Sequence, residues 1–415
     1  MKCIGRSAVW ESVDMVICYV WDADYPWDVR VEKVCDSLAK KHEVHLVCRN
    51  TQRRASYEVM KGLHIHRLPV LPAVFGQLNT PIGFPAFFNP FWFAKLWRTI
   101  SKTGTQLIIV RDLPLALLAI FIGRLRRIPV ILDMAENYPA MMQDLRDSES
   151  VRLTDYLVRN PAIVQVVERI SLRFADHIIV VVDESRDRLE RVGVSREKIT
   201  VVMNTPPKSR LLVSQEVREQ GEERGHKDLE MVYLGLLERP RGLETVIEAV
   251  HEVRKSLPNI RLNIIGIGRH KSLFEQRVNQ LGLEEHVRFL GWVDYQEAVR
   301  HIGKCDIGLV PHHVTPSWNS TIPNKLFDYM SMGKPVIVSD ALPTKRIVEA
   351  EECGEVFRDR DPKDLARAIL SLKDEQVRLA KGRLGQEAVI GKYNWSMDEQ
   401  QLLEAIDGVW AKARA

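Results

Sequence analysis

The residues best suited to chemistry lie in one segment of the second half, Val310–Asp340, which reads VPHHVTPSWNSTIPNKLFDYMSMGKPVIVSD. An apolar run ends at Val310, a polar loop follows, and a helical pattern begins near Asn324. A helix N-terminus presents unpaired backbone N–H groups and the positive end of the helix dipole, both of which suit a phosphate. Lys325 is unfavourable in a first helical turn unless an anion lies nearby. The segment therefore predicts a phosphate-binding site.

Neighbouring side chains extend this site. Ser320 and Thr321 would supply hydroxyls beside the phosphate, and Asp328, about one turn after Lys325, could accept hydrogen bonds from a ribose. The alternative is that a hydroxyl simply caps the helix and that Lys325 is a solvated surface charge. The segment taken alone does not decide between these two readings.

The rest of the chain alternates short β-branched runs with amphipathic helical patterns. This alternation is typical of βαβ units on parallel sheets, so we predict an α/β fold. The predicted strands are Asp14–Tyr19, Val44–Cys48, Gln106–Val110, Pro129–Asp133, His177–Val182, Ile199–Met203, Met231–Leu234, Arg261–Ile265, Val287–Leu290, Ile307–Val310 and Pro335–Val338.

The alternation pauses at residues 206–229, a charged stretch that we interpret as a linker. It separates an N-terminal domain, residues 1–205, from a C-terminal domain, residues 230–392, and a length of 415 residues suits two domains. We expect two doubly wound, Rossmann-like domains that face a central cleft, because open α/β sheets bind ligands at the carboxyl ends of their strands.

Composition narrows the function classes. The chain has 59 lysines and arginines against 55 acidic residues, a balance that does not indicate nucleic acid as the main partner. Its six cysteines show no metal-binding spacing and are typical of reduced thiols, so we expect a cytoplasmic protein without a metal or other cofactor. A DxD-like sequence at Asp22–Asp24 follows the first strand, and we interpret it as a surface loop.

Several segments together resemble one protein family. The run PNKLFDYMSMGKPVIVSD is similar to the donor-binding segment of the large retaining glycosyltransferase group 1 family, also called family 4. Further similar segments follow in the order typical of the family, and they are VVVDESRDRLERVGVSREKITVVMNTP, YLGLLERPRGLETVIEAV, IIGIGRH, VRFLGWV and YNWS. The resemblance implies the two-domain GT-B architecture, with residues 393–415 forming a helix that packs back on the first domain.

The resemblance also implies residue roles. Asp328 would hold the donor ribose, while Arg241 and Lys325 would neutralise the diphosphate and stabilise the charge that develops on it. The remaining donor-binding candidates are Gly268 near the diphosphate, Gly291, Trp292 and Val293 around the nucleobase, and Asn319, Ser320, Thr321 and Asn324 in the polar loop.

The chain departs from the family pattern at three places. Ser320 stands where the family has its first acidic residue, and Ala135 stands where it often has a histidine, which leaves Glu136 as the nearest catalytic candidate. A glycine pair after the first strand is absent, and Asp28 and Arg30 there could bind acceptor or diphosphate. The alternatives are that Glu136 caps a helix or pairs with a cation, and that Asp28 and Arg30 form a pair at a helix start.

An aromatic cluster at Phe84–Trp97, with basic residues close by, could rest on an anionic membrane or pack as a core helix. We therefore expect a nucleotide-sugar donor, a carbohydrate or lipid-linked acceptor, and a cytoplasmic location that includes the inner face of the membrane as an alternative. Competing hypotheses are a catalytically silent nucleotide-sugar-binding partner of another transferase and a sugar-nucleotide epimerase. The sequence does not specify the nucleobase, the sugar, the acceptor or the oligomeric state.

Overall fold

The structure is a computed structural model, which describes residues 15–26, 28–70, 89–148, 160–219 and 229–414. Two sheets, one mostly parallel and one parallel, are each covered by helices and divide these residues into two α/β domains. All of the predicted strands are present, within a few residues at their ends.

The N-terminal domain is built on an eight-stranded sheet. Its strands are β1 (Val16–Asp24), β2 (Glu43–Arg49), β3 (Tyr57–Met60), β4 (Leu63–Arg67), β5 (Leu107–Arg111), β6 (Val130–Met134), β7 (His177–Val180) and β8 (Ile199–Val201). They lie in the order β3-β4-β2-β1-β5-β6-β7-β8, and among them only β3 and β4 pair antiparallel. Strands β5, β6 and β7 are buried throughout, as expected for parallel strands covered on both faces.

Helices cover both faces of this sheet. They are α1 (Val29–Leu38), α2 (Pro90–Thr103), α3 (Ala116–Arg126), α4 (Tyr138–Ser148), α5 (Pro161–Phe174) and α6 (Asp183–Arg191). One core contains buried residues of α2, α3 and α5, and a second core on the opposite face contains buried residues of α1.

The C-terminal domain is built on a six-stranded parallel sheet. Its strands are β9 (Glu230–Leu234), β10 (Arg261–Ile265), β11 (Val287–Gly291), β12 (Ile307–Val310), β13 (Val336–Ser339) and β14 (Gly354–Phe357). Their order, β11-β10-β9-β12-β13-β14, is doubly wound about β9. The covering helices are α8 (Leu243–Val253), α9 (Lys271–Gln280), α10 (Tyr295–Lys304), α11 (Asn324–Ser331), α12 (Leu342–Ala350), α13 (Pro362–Ser371) and α14 (Glu375–Gly391).

The stretch between the domains is more ordered than a plain linker. Residues 206–229 contain helix α7 (Lys208–Glu219), which packs against α10 and α11. Its partly buried Leu211, Val213 and Val217 join the core of the C-terminal domain, and Ser214 lies 3.0 Å from Ser331, hydroxyl to hydroxyl. A few apolar residues at helical spacing inside a charged sequence are therefore enough to attach this helix to the second domain.

The last helix of the chain, α15 (Trp395–Arg414), returns to the N-terminal domain. Trp395, Leu402, Ile406 and Val409 lie in the core beside α1. The indole of Trp395 also donates a hydrogen bond of 2.9 Å to the Ser37 hydroxyl. The N-terminal core is therefore completed by residues from the opposite end of the sequence.

Direct contacts join the two domains where the carboxyl ends of their strands meet. Asn137, which follows β6, donates to the Ser320 hydroxyl at 3.2 Å, and Ser185 donates to the Ser320 carbonyl at 2.6 Å. Arg346 of α12 forms a two-pronged ion pair with Glu184 of α6, at 2.6 and 3.1 Å. The cleft therefore lies between two sets of strand ends.

Candidate functional site

Lys325 lies in the first turn of α11, as predicted, but it is not a solvated surface charge. The residue is 7 % exposed, and its Nζ has no hydrogen-bond partner among the described residues. Nζ lies 3.9 Å from the centroid of the Tyr233 ring and faces Gly235, where an added Cβ would lie only 2.9 Å from it. Burial, followed by the charge of Arg241, holds the pKa of Lys325 well below its ordinary value. A buried ammonium without an acceptor suggests a missing anion.

Arg241 is the second cation of this site, and it is held by two ring systems. It ends a single helical turn, Arg239–Arg241, that follows β9. Its guanidinium stacks over the Trp318 ring at 4.5 Å, and its Nη1 lies 3.3 Å from Nε2 of the buried His312. Burial, together with the charges of Lys325 and Arg241, lowers the pKa of His312, so its neutral ring accepts the bond. His312 and Trp318 lie in the segment Val310–Asp340, but only the fold shows that they contact Arg241.

Asp328 lies on the same helix as Lys325, about one turn further on. The carboxylate is 6 % exposed, with Arg210 Nη1 at 3.8 Å and the Tyr295 hydroxyl at 3.5 Å. Burial raises the pKa of Asp328, while the positive charges of Arg210 and Lys33 oppose that rise. Both contacts are made to Oδ1 of the carboxylate.

In the polar loop between β12 and α11, some polar groups are already hydrogen-bonded within the protein and others are not. The amide oxygen of Asn319 accepts from the backbone of Leu342, and the hydroxyl of Ser320 donates to the Pro316 carbonyl while accepting from Asn137. Thr321 is buried, and the buried amide oxygen of Asn324 has no partner among the described residues. Helix α11 also lacks a side-chain cap, so its N-terminus remains open to a ligand.

The glycine and aromatic candidates lie around the ends of β9, β10 and β11. A Cβ on Gly268 would lie 2.3 Å from the Leu237 carbonyl, so this glycine permits two loops to cross closely. Gly291 ends β11, with its carbonyl accepting from Gly266 at 2.7 Å. Trp292 is 71 % exposed, and Val293 is partly buried in the core. An exposed indole here offers a flat surface on which a nucleobase could stack.

Glu136 lies on the opposite side of the cleft, after β6. The side chain is half-buried. Burial raises the pKa of Glu136, while positive charges of Arg111 from one domain and Arg241 from the other oppose that rise. The Glu136 carboxylate thus interacts electrostatically with one cation from each domain.

Arg111 and Asp112 are site residues that the sequence reasoning missed. Arg111 ends β5 and is 7 % exposed, and its Nε and Nη1 make no hydrogen bonds to the described residues. Its Nε lies 3.5 Å from Asp112, and its guanidinium lies 5.2 Å from the Trp21 ring. Burial raises the pKa of Asp112 to about 7. An Arg-Asp pair directly after a buried strand was the available signal.

The structure corrects the prediction for Arg30. This residue is 1 % exposed, and its Nε and Nη2 bind Asp133, with the shortest distance 2.6 Å. Its Nη1 donates to the Val202 carbonyl. Asp28 caps α1 by accepting from the backbone of Arg30 and Val31. All three guanidinium nitrogens of Arg30 are therefore already hydrogen-bonded inside the protein, so Arg30 has a structural role. Asp28 is the N-cap of α1.

The remaining sequence predictions have mixed outcomes. The prediction of a surface loop at Asp22–Asp24 is wrong, because these residues form the end of strand β1, where Asp24 accepts from the Thr51 backbone. No cluster with metal-binding geometry occurs in the described part of the chain. Residues 84–88 of the aromatic cluster lie outside the described residues. Within α2, Trp92 is fully buried in the core, whereas Phe91 is exposed. Among the described residues, no helix is both long and apolar enough to span a bilayer.

Comparisons with known proteins agree with this architecture. Residues 28–205 match the "Glycosyl transferase 4-like domain" model, and residues 214–388 match the "Glycosyl transferases group 1" model. A phosphatidyl-myo-inositol mannosyltransferase of Mycobacterium leprae is 28% identical over 181 residues, or 43% of this chain and 46% of the relative. The putative colanic acid biosynthesis glycosyltransferase WcaL of Escherichia coli K12 is 25% identical over 199 residues, 48% and 47% of the two chains. These matches thus span about half the length of each relative.

Solved structures show the same fold over nearly the whole chain. The sucrose-phosphate synthase of Thermosynechococcus elongatus has a TM-score of 0.75 at 19% identity and covers 96% of this chain and 100% of its own. HepE of Anabaena, in complex with UDP-glucose, has a TM-score of 0.69 at 16% identity and covers 95% and 100%. With two consecutive family matches and this shared two-domain fold, the chain belongs to the group 1 glycosyltransferases, of the family 4 type, and has the GT-B architecture.

Proposed function

We propose that this protein transfers a sugar, with retention of anomeric configuration, from a nucleotide-diphosphate sugar to an acceptor that enters from the N-terminal domain. The observation that carries the proposal is the buried Lys325 ammonium, which has no acceptor among the described residues and lies beside Arg241. A diphosphate would supply the missing negative charge, and fixed cations there would stabilise the leaving group. The reaction breaks the bond between the sugar C1 and the diphosphate oxygen and joins C1 to an acceptor oxygen.

The other donor groups have positions that suit this proposal. Asp328, about one turn from Lys325, would accept from the ribose hydroxyls, and the exposed Trp292 would stack on the base. The open N-terminus of α11 would add backbone N–H groups to the phosphate site. No metal is part of the proposal, because Arg241 and Lys325 would supply the positive charge that the departing diphosphate requires.

On the acceptor side, Glu136 would receive the proton of the attacking hydroxyl or stabilise the positive charge on the sugar. A carbohydrate or lipid-linked acceptor is supported by the similar proteins, which include a phosphatidyl-myo-inositol mannosyltransferase and a putative colanic acid biosynthesis glycosyltransferase. Peripheral membrane contact, and hence a location at the cytoplasmic face of a membrane, belongs to the same proposal. The exposed Phe91 with the basic residues of α2 supports it.

A second candidate is a silent protein that binds a nucleotide sugar without transferring it. One observation favours this alternative. The family's first acidic position is Ser320, and the hydroxyl of Ser320 is already engaged by Asn137 and Pro316. The donor sugar would then lack its usual carboxylate partner.

The deciding experiment is to incubate the protein with UDP, GDP, ADP and TDP sugars, with and without carbohydrate and lipid-linked acceptors. We expect release of nucleoside diphosphate from one donor class, undiminished by EDTA, and a product whose anomeric configuration by NMR matches that of the donor. Binding of a donor without product would support the silent partner. Conversion of the donor sugar to its epimer, without nucleotide release, would show an epimerase.

A further inference from the structure

A second basic site lies at the outer edge of the N-terminal sheet, away from the donor residues. Helix α2 and strands β3 and β4 border a groove of about 500 Å³, which we call the basic groove. Its principal lining residues are Lys95, Arg98 and Lys102 from α2 and Tyr57, His66 and Arg67 from the two strands. None of these residues belongs to the candidate donor site.

The three cations of α2 crowd one face of the helix. Lys95, Arg98 and Lys102 are three and four residues apart, so their side chains lie on neighbouring turns. Among the described residues, none of the three forms an ion pair or a hydrogen bond through its side chain. Burial, together with the charges of Arg98 and Lys102, lowers the pKa of Lys95. The helix dipole stabilises positive charge in the last turn of a helix, and of these three cations only Lys102 lies there. The dipole therefore does not offset the repulsion between Lys95 and Arg98.

Nearby carboxylates are already engaged elsewhere. Glu58 pairs with Arg67 at 2.8 Å, and Glu43 lies 2.8 Å from the His45 ring. The Nδ1 of His45 in turn lies 3.0 Å from the Nε2 of His66 on the groove floor. Burial and neighbouring positive charges lower the pKa of His66 to about 4, so its ring is neutral at physiological pH. No carboxylate is among the described residues that line the groove.

The rim of the groove has an apolar character that a simple ion would not need. Tyr57 is 50 % exposed and Phe91 is 45 % exposed, and both line the groove. The hydroxyl of Thr103, which also lines the groove, already lies 3.0 Å from the Thr99 carbonyl and 2.8 Å from the Thr105 hydroxyl, so the cations are the main polar groups offered to a ligand. Cations suit a phosphate group, whereas exposed aromatic rings suit an attached sugar ring or acyl chain.

We propose that the basic groove binds an organic phosphate, with Lys95, Arg98 and Lys102 holding the phosphate group and Tyr57 and Phe91 contacting the organic part. The ligand is either a soluble phosphate ester or the headgroup of an anionic lipid, and both present the same chemistry. Binding of a lipid headgroup would rest on the membrane contact proposed above, which uses the same helix, whereas binding of a soluble phosphate ester goes beyond it. Neither depends on the donor site, because the lining residues named here are not among the donor residues.

Binding is measured for a groove variant that combines Lys95→Gln, Arg98→Gln and Lys102→Gln. The matched control combines Lys304→Gln, Lys363→Gln and Lys373→Gln, three exposed lysines of the C-terminal domain, and so removes the same charge. Circular dichroism and thermal melting verify that both variants fold. The probes are glycerol 3-phosphate, titrated by calorimetry, and vesicles of phosphatidylcholine with or without phosphatidylglycerol, tested by flotation. The calorimetry is repeated with Lys325→Ala, so that phosphate bound at the donor site is recognised.

We expect the groove variant to lose at least tenfold in affinity for one probe while the control and Lys325→Ala retain it. Loss of glycerol 3-phosphate binding would identify a soluble phosphate ester as the ligand. Loss confined to phosphatidylglycerol vesicles would identify a lipid headgroup. Equal binding by the groove variant and its control, whether both are unchanged or both are weakened, would overturn the proposal.

Discussion

At the level of single residues, the cleft contains buried polar atoms that have no hydrogen-bond partner among the described residues. They are the Nζ of Lys325, the amide oxygen of Asn324, and the Nε and Nη1 of Arg111, whose charge nevertheless lies 3.5–3.9 Å from the carboxylates of Asp28, Asp112 and Asp133. Buried polar groups in native proteins are normally bonded, so this concentration around one cleft indicates that ligands complete the bonding. Arg30 is the contrasting case, because its guanidinium is fully bonded within the core.

Removing the buried charge of Lys325 should stabilise the ligand-free protein. We expect Lys325→Met, which keeps the side-chain volume, to raise the free energy of unfolding by about 1 kcal/mol or more, because an unpaired buried cation is unfavourable. The measurement is urea unfolding of the two proteins without nucleotide. A clear loss of stability in the variant would mean that Lys325 is already paired in the native protein.

Glu136 should affect the chemical step more than donor binding. We expect Glu136→Gln to reduce kcat by about 10²-fold or more, since general acid–base groups typically contribute on that scale, with nucleotide affinity nearly unchanged. Because the folded pKa of Glu136 is raised, activity of the wild type should fall on the acid side at a pH above the ordinary glutamate range. A pH–rate profile whose acid limb is the same in Glu136→Gln would argue against this role.

At the level of elements, the sequence was sufficient for the long apolar strands and for the helix that carries Lys325 and Asp328. The sequence did not predict three short strands, β3, β4 and β14, which lie at or near the sheet edges. In β3 the residues alternate between exposed and half-buried. The helical character of residues 208–219 was also missed, because charged residues outnumber the few that pack. His312, Trp318 and Arg111 required the fold, since only the sheet topology brings their strand ends together.

Helix α15 should be essential for the N-terminal core. Trp395 is 6 % exposed, so we expect Trp395→Ala to lower the free energy of unfolding by about 3–5 kcal/mol. Trp292→Ala is the matched control, because the exposed Trp292 should change stability by only about 0.5 kcal/mol while weakening nucleotide binding. Chemical denaturation measures both variants, and equal effects on stability would contradict the assigned burial.

The contact between Lys33 of α1 and the chain segment that leads into the second domain should depend on pH. Lys33 donates to Asn204 at 2.7 Å and to the Thr205 carbonyl at 2.6 Å, and its ammonium lies over the Trp395 ring. Burial is the main cause that lowers the pKa of Lys33 to about 7. Between that value and the unfolded value of about 10.4, the unfolded chain binds more protons, so the stability contributed by Lys33 rises with pH.

This linkage predicts a slope of up to about 1.4 kcal/mol per pH unit within that window. The slope is measured as the difference in unfolding free energy between the wild type and Lys33→Met across the alkaline range. Parallel curves for the two proteins would show that Lys33 titrates normally in the folded state.

At the level of the whole molecule, the two domains contribute different parts of one cleft. The C-terminal domain supplies Lys325, Arg241 and Asp328, and the N-terminal domain supplies Glu136 and Arg111. Hydrogen bonds from Asn137 and Ser185 to Ser320 hold the strand ends of the two domains together. We expect closure of the two domains around a bound donor to exclude water and to assemble the reacting groups.

The central claim is that Lys325 and Arg241 bind the diphosphate of a nucleotide donor. The most direct measurement is calorimetric titration of UDP, GDP, ADP and TDP into the wild type, Lys325→Ala, Arg241→Ala and the surface control Lys304→Ala. The account predicts selective binding of one nucleotide, weakened at least tenfold in both site variants, since bonds to charged groups contribute about 1.5–3 kcal/mol. Unchanged affinity in the two site variants, with the control also unchanged, would contradict the account.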